Sequence, residues 1–242
     1  MEPGIGIITQ ARMTSTRLPG KVMKEINHKS LLQYHIERLR KTGIPVAIAT
    51  TVNETDTIIS DFADRHEINC HRGSEHNVLS RFYETAKKFH FNTIVRVTSD
   101  CPLIDPHLIR NSIEKYVQLK NKNLYLSNAL ERTFARGFDF EIFSFHLLKE
   151  AHDNATEESD KEHVTPYIWN NRTGEVEFYH VTQLPKHGNL RITVDTADDF
   201  ELIKALIETY KADQLNYSEI ENILVKHPEL VRLNSHIEQK KI

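Results

Sequence analysis

The chain has 242 residues, enough for one large α/β domain or two small ones. Hydrophobic residues at 39% and charged residues at 27% are ordinary for a globular fold, and a net charge of -3 argues against a general nucleic-acid binder, so any anion site must be local. No apolar run is long enough to span a bilayer and residues 1–4 lack the basic start of a signal peptide, so the expectation is a cytoplasmic protein with no membrane insertion.

In chain order, Ile5-Gly6-Ile7-Ile8 reads as a buried strand. The stretch Gln10 to Lys21 then carries Arg12, Arg17 and Lys21, with no acid between Glu2 and Glu25, and Pro19-Gly20 forces a turn. Ser30 suits the N-cap of a helix with Leu32, Ile36 and Leu39 on one face, ended by Gly43. Residues 45–50 form the next strand, Ile58, Ile59, Phe62 and Ala63 mark a helix, and residues 68–70 a short strand. A helix over Val78, Leu79, Phe82, Tyr83 and Ala86 leads to a strand at 93–98, and Pro106 starts a further helix.

Strands alternating with helices of ten or more residues predict an α/β fold: a Rossmann-like, mainly parallel sheet flanked by helices. From 123 to 185 the pattern loosens. Residues 125–127, 138–143 and 176–181 read as strands and predict a small antiparallel insertion, a lid and a dimer surface within one domain spanning 1–242. Residues 190–195 return to the core pattern as a strand, followed by a helix that Thr196 would cap with Asp199 in the capping-box position. Two helical pieces divided at Pro228 and a frayed tail from Gln239 to Lys241 close the chain.

The chemistry concentrates at three places. A basic loop leaving the carboxyl end of a first strand suits a polyanion such as a nucleoside triphosphate, arginine gripping phosphate bidentately and lysine as a point charge. The segments 95–100 and 190–195 share one form: an apolar strand carrying an arginine and ending in an aspartate, Asp100 or Asp195. Ligands gather outside the carboxyl ends of strands in open α/β sheets, and magnesium commonly takes one or two carboxylates with waters and phosphates. Asp100 before Cys101-Pro102 also reads as a turn former, and Arg72-Gly73-Ser74 reads equally as a glycine turn or as a contact to base or ribose. The two cysteines make no disulfide framework, Cys101 reads as packing, and the 14 histidines form no zinc motif.

The string A-R-x-x-S-x-R-L-P-G-K, from Ala11 to Lys21, resembles the signature of the sugar-acid cytidylyltransferases. The preceding Gln10 and the following Val22-Met23 are closest to the spore coat polysaccharide biosynthesis protein F branch. The resemblance implies the nucleotide-diphospho-sugar transferase type of fold. It implies a nucleotide site at Gln10, Ala11, Arg12, Ser15, Arg17, Lys21, Arg72, Ser74 and Asp100, with Arg12, Lys21, Asp100 and Asp195 in the catalysis. Asp100 and Asp195 would hold magnesium. Arg136-Gly137-Phe138-Asp139-Phe140-Glu141 resembles the sugar-side segment, so Arg136 would pair with an acceptor carboxylate while Asp139 and Glu141 receive sugar hydroxyls, although an alternating strand face also explains the two acids. Glu162 to Tyr167 is typical of the same branch and carries no assigned role. Better-known members have proline where this chain has Gln10, which leaves the base preference open.

The expected reaction is magnesium-dependent transfer of CMP from CTP to a sugar acid for surface polysaccharide synthesis, with no general base standing out and a dimer implied by the resemblance alone. A nucleotide-sugar glycosyltransferase using Asp100, and a nucleotide sensor without turnover, are the alternatives.

Overall fold

The structure, a computed structural model, describes residues 4–239. Strand β1 (Ile5–Gln10) leads through the basic loop to a hairpin of β2 (Glu25–Ile26) and β3 (Lys29–Ser30), then to α1 (Leu31–Arg40). Next come β4 (Val46–Thr51), α2 (Thr57–Arg65), β5 (Asn69–Gly73), α3 (Val78–Lys88), β6 (Thr93–Thr98) and α4 (Pro106–Leu119). The second half holds β7 (Leu124–Ser127), β8 (Glu141–Ser144), α5 (Phe145–Asn154), α6 (Glu158–His163), α7 (Pro166–Trp169) and β9 (Glu177–His180), then α8 (Ala197–Tyr210), α9 (Tyr217–Lys226) and α10 (Pro228–Arg232).

The main sheet runs β5-β4-β1-β6-β8-β7-β9. Its first four strands are parallel, and β8 alone is antiparallel to both of its neighbours. Neighbouring side chains on each strand separate cleanly: Ile7, Ile48 and Val95 pack with α1, α2, α4, α8 and α9 on one face, and Ile8, Ala49 and Ile94 pack with α3, α5 and α7 on the other. That two-sided burial is why the parallel strands read as near-continuous apolar runs. The predicted caps form: Ser30 Oγ accepts from the Gln33 N–H, and Thr196 and Asp199 make a reciprocal capping box. No described helix is long and apolar enough to cross a membrane.

Three expectations are corrected. The strand expected over 138–143 starts only at Glu141, because the Asn128 carboxamide donates to the Phe138 carbonyl and accepts from the Phe140 N–H, holding 138–140 out of the ladder. Residues 190–195 form no sheet strand; a single parallel bridge joins Arg191 to Arg136. The small antiparallel insertion expected between 123 and 185 is present as β8, which runs antiparallel to both β6 and β7, and a further antiparallel pair is the β2–β3 hairpin, whose strands of two residues are too short to carry a periodicity. At the tail, Gln239 accepts a hydrogen bond from Arg191 at 2.6 Å instead of fraying, while Lys240 and Lys241 lie outside the described residues.

Candidate active site

From β1 the chain steps outward through β4 to β5, then returns to the other side of β1 as β6. The strand order reverses between β1 and β6, and a crevice opens at their carboxyl ends, where such sheets take ligands. A cavity of about 470 Å³ lies there. Its floor is made by Gln10, which ends β1, and Ala11 after it, and by Thr98, which ends β6, with Ser99 and Asp100 after it. The basic loop folds over it: the Met13 N–H donates to Asp56, the Gly20 N–H to the Met13 carbonyl, and Gly20 at φ 68 makes the turn that delivers Lys21.

Lys21 is the hub. Its ammonium donates to Asp100 Oδ2 at 2.9 Å, to Asp195 Oδ1 at 2.8 Å and to the Val194 carbonyl at 2.8 Å. Arg17 reaches Asp195 Oδ2 at 2.9 Å from the loop, and Arg191 reaches the same oxygen at 2.8 Å from behind. Burial alone would lower the Lys21 pKa, but the charges and hydrogen bonds of the two aspartates outweigh it and raise it, so the lysine stays charged. Burial likewise opposes ionisation of Asp100, yet Lys21 and the Thr98 hydroxyl hold its carboxyl down at about 2. Behind the Asp100 loop, His35 is fully buried, and burial keeps it neutral with a pKa of about 4. Since the Cys101 carbonyl can only accept, His35 Nδ1 donates to it at 2.8 Å; Nε2 then accepts from Thr9, whose oxygen accepts from Ser99.

The opposite wall comes from the β5–α3 connection with Glu75 and His76, from the start of α3 with Val78 and Arg81, and from α6 with Glu158, Glu162 and His163. Glu75 ties this wall to the loop, accepting from Thr14 at 2.7 Å and pairing with Arg12 at 3.6 Å. At the end of α6 the buried Val164 takes φ 72, ψ -51, and the Thr165 N–H donates to the His163 carbonyl at 2.8 Å. This is a γ-turn of the positive-φ kind, strained for a β-branched residue. It is clamped by the Thr165 hydroxyl donating to Glu141, which also pairs with Arg96 and accepts from Tyr125.

The family model described as Cytidylyltransferase matches residues 6–241. The chain is a cytidylyltransferase. It is 36% identical over 239 residues to the uncharacterized protein MJ1063 of Methanocaldococcus jannaschii, covering 98% of this chain and 96% of that one. It is 32% identical over 231 residues to the spore coat polysaccharide biosynthesis protein SpsF of Bacillus subtilis, covering 92% and 94%. The solved structure of a cytidylyltransferase from Leptospira borgpetersenii superposes with a TM-score of 0.88 at 28% identity, over 98% of this chain and 99% of that one.

Of the residues expected at the site, this cytidylyltransferase brings Gln10, Ala11, Arg12, Ser15, Arg17, Lys21, Asp100 and Asp195 to one cavity. Five others lie outside its lining. Arg72 donates to the Thr51 and Asn53 carbonyls at 2.9 and 2.7 Å, and the Ser74 hydroxyl accepts from the Asn77 N–H, so both fix the β5–α3 connection. Asp139 pairs with Arg132 at 2.5 Å and Glu141 is spent on Arg96, Tyr125 and Thr165. Arg136 bridges the 190–195 segment by its backbone, donating to the Leu190 carbonyl and accepting from the Ile192 N–H. Gly137 explains the motif locally: at φ 117, any Cβ there would come within 2.7–2.9 Å of Ile192 and Thr193. The Arg136–Glu141 stretch therefore backs the segment that carries Asp195. Asp195 in turn has the local partner that sequence reasoning did not see, Arg191 one helical turn earlier in number though not in a helix.

Proposed function

We propose that this cytidylyltransferase transfers CMP from CTP to a hydroxyl of a sugar acid, with magnesium, in surface polysaccharide synthesis. The observation that carries the reading is the junction of Arg17, Lys21, Asp100 and Asp195, in which cations suited to a triphosphate meet two carboxylates on one side of a single cavity. A sugar acid as acceptor is supported by relatives such as the 3-deoxy-manno-octulosonate cytidylyltransferase of Geobacter metallireducens, 33% identical over 115 residues, 47% of this chain and 44% of that one. The polysaccharide pathway is supported by the resemblance to SpsF.

In the proposed reaction the acceptor oxygen attacks the α-phosphorus in line, the bond to the β-phosphate bridging oxygen breaks, and pyrophosphate leaves. Arg12, Arg17 and Lys21 bind the β- and γ-phosphates and neutralise the charge that grows on the leaving group. Among the described residues no group of three or more His, Cys, Asp or Glu converges as a metal cage. Asp100 and Asp195 nevertheless fit a hard cation, because two carboxylates converging on one cationic point leave the remaining positions to waters and phosphates. Magnesium bound by them would supply charge stabilisation at the α-phosphate and a lower pKa for the acceptor hydroxyl. The acceptor lies against the α6 wall in this reading, and a homodimer forms through the 123–185 region, where β9 is an exposed edge with Phe178 outward.

The test is pyrophosphate release from each of the four nucleoside triphosphates with magnesium against a panel of sugar acids. Release from CTP with one acid is expected. Transfer from a nucleotide-sugar without pyrophosphate, or triphosphate binding with no turnover on any acid, would overturn the reading.

A further inference from the structure

Most charges in the cavity are matched, and Arg81 stands out because it is not. It lies in the first turns of α3, is 1% exposed, and lines the cavity beside Val78. Its Nη1 donates to the Ser74 carbonyl at 2.5 Å, its Nε has no partner, and no carboxylate lies within ion-pair distance of it among the described residues. Burial, with the charge of Arg12 nearby, lowers its pKa to about 10. A guanidinium enclosed with one carbonyl and no counter-ion, its Nε unpaired, is costly unless a ligand supplies further acceptors. On the floor of the same cavity the Gln10 side-chain oxygen is also buried without a partner. An unmet donor and an unmet acceptor therefore share one pocket, while the triphosphate is provided for by Arg12, Arg17 and Lys21.

We propose that Arg81 and Gln10 are the residues that select the nucleobase, Arg81 donating to the O2 and N3 acceptors of cytosine and Gln10 accepting from its 4-amino group. The inference rests on the CTP reading above and deepens it. Val78, one turn before Arg81, offers the ring an apolar surface. Uracil would present its N3–H to a guanidinium that can only donate, and its O4 to the Gln10 oxygen. A carboxamide can rotate to present nitrogen instead. Arginine has no such freedom, so Arg81 decides the choice and Gln10 follows it. Sites built to hydrogen-bond a polar group reject analogues that leave their own buried groups unpaired.

The experiment titrates the full chain, with magnesium and without acceptor, with CTP, UTP and the triphosphate of 2-pyrimidinone riboside, which is CTP lacking the 4-amino group. CTP is expected to bind at least about tenfold more tightly than UTP, with the des-amino analogue between them. Arg81→Lys should bring CTP and UTP to within about threefold, since an ammonium lacks the fork. Gln10→Ala should make CTP and the des-amino analogue equal. Equal binding of CTP and UTP by the unaltered chain, or a CTP preference that survives Arg81→Lys, would overturn the assignment and leave the transferase reading standing. If Arg81→Lys does not fold, Gln10→Ala decides: a CTP advantage over the des-amino analogue that persists in it overturns the proposal. Failure of every triphosphate to bind would sink the nucleotide reading itself.

Discussion

The segments 95–100 and 190–195 are near copies in sequence, V-R-V-T-S-D and L-R-I-T-V-D, yet they are held in place by different forces. The first runs off the end of β6, which is laddered to β1 as far as Thr98 and to β8 as far as Arg96, and the Ser99 N–H extends the ladder to the Gln10 carbonyl, so Asp100 sits two residues past a strand held by backbone hydrogen bonds in the middle of the sheet. The second has one bridge and a backbone hydrogen bond from the Val194 N–H to the Asp100 carbonyl at 2.8 Å, and its own aspartate is positioned by side chains: Arg191 grips Asp199 with two hydrogen bonds at 2.8 and 3.0 Å, and Asp199 accepts from the Asp195 N–H at 2.9 Å and from Asn234 at 2.8 Å. The two arginines diverge accordingly. Arg96 turns to Glu141 at 2.6 Å, away from the cavity lining, whereas Arg191 serves the aspartate of its own segment. Equal patterns thus give one carboxylate a rigid mount and the other a charge-built mount.

The comparison breaks hardest at the aspartates. Asp100→Asn and Asp195→Asn are each expected to cut turnover about a thousandfold while circular dichroism stays native, the upper end for removing one preorganised charge contact. Near-full activity in either variant would remove that residue from the proposed machinery.

The arginines come next. Arg96→Ala leaves Glu141 without its ion-pair partner, and Arg191→Ala leaves Asp199, which is fully enclosed, without its own; each break of a buried pair should cost about 3–5 kcal/mol in denaturant unfolding. The difference is in function. At a temperature where both variants are folded, Arg191→Ala should lose activity with Asp195, and Arg96→Ala should keep most of it. Equal activity losses would mean that the two mounts are not distinct.

What was legible before the structure follows the same division. The basic loop is contiguous, so its residues announce themselves together, and both aspartates sit at the end of apolar runs that point to the crevice. The second wall is hidden because its members are scattered through helices. Arg81 falls at helical spacing among Val78, Leu79 and Phe82 and reads as the polar edge of an amphipathic face, and His163 is the last of the six residues of a charged helix. Arg72 and Ser74 lie outside the cavity lining, spent on backbone groups nearby, because a strand end says where the chain is and not which way its side chains face. Residues 190–195 have the composition of a strand, and nothing local reveals that Asp199 and Asn234, four and more residues away, replace the ladder.

Acid sharpens the contrast further. The carboxyls of Asp100 and Asp199 are both held below the ordinary value of 3.8: burial opposes this, and Lys21 in one case and Arg191 in the other prevail. A depressed folded-state pKa means stability that is complete above the ordinary value and is lost as pH falls toward the folded one. The protein should therefore lose stability between about pH 4 and pH 2. Asp199→Asn should flatten that slope, and a slope unchanged in this variant would show that the Arg191 network contributes nothing to acid sensitivity.

The smallest effect separates two threonines that occupy the same place in the repeated pattern, two residues before each aspartate. The Thr98 hydroxyl donates to Asp100 Oδ1 at 2.6 Å, a hydrogen bond to an ionised group. The Thr193 hydroxyl does not turn to Asp195 and donates instead to the Asp100 backbone carbonyl at 3.2 Å. Both threonines therefore support the sheet-mounted aspartate, one at its carboxylate and one at its backbone. Because Lys21 still holds the other oxygen of Asp100, Thr98→Val should lose only about three- to tenfold in kcat/KM, part of the roughly 1.5–3 kcal/mol that a charged hydrogen bond can carry. Thr193→Val gives up a neutral hydrogen bond and should cost about 1 kcal/mol of stability with activity changed less than about threefold. Steady-state kinetics beside urea unfolding reads both quantities. If Thr193→Val were the more damaging to turnover, the position of Asp100 would depend on the 190–195 segment more than on β6, and the two mounts would have to be regarded as one.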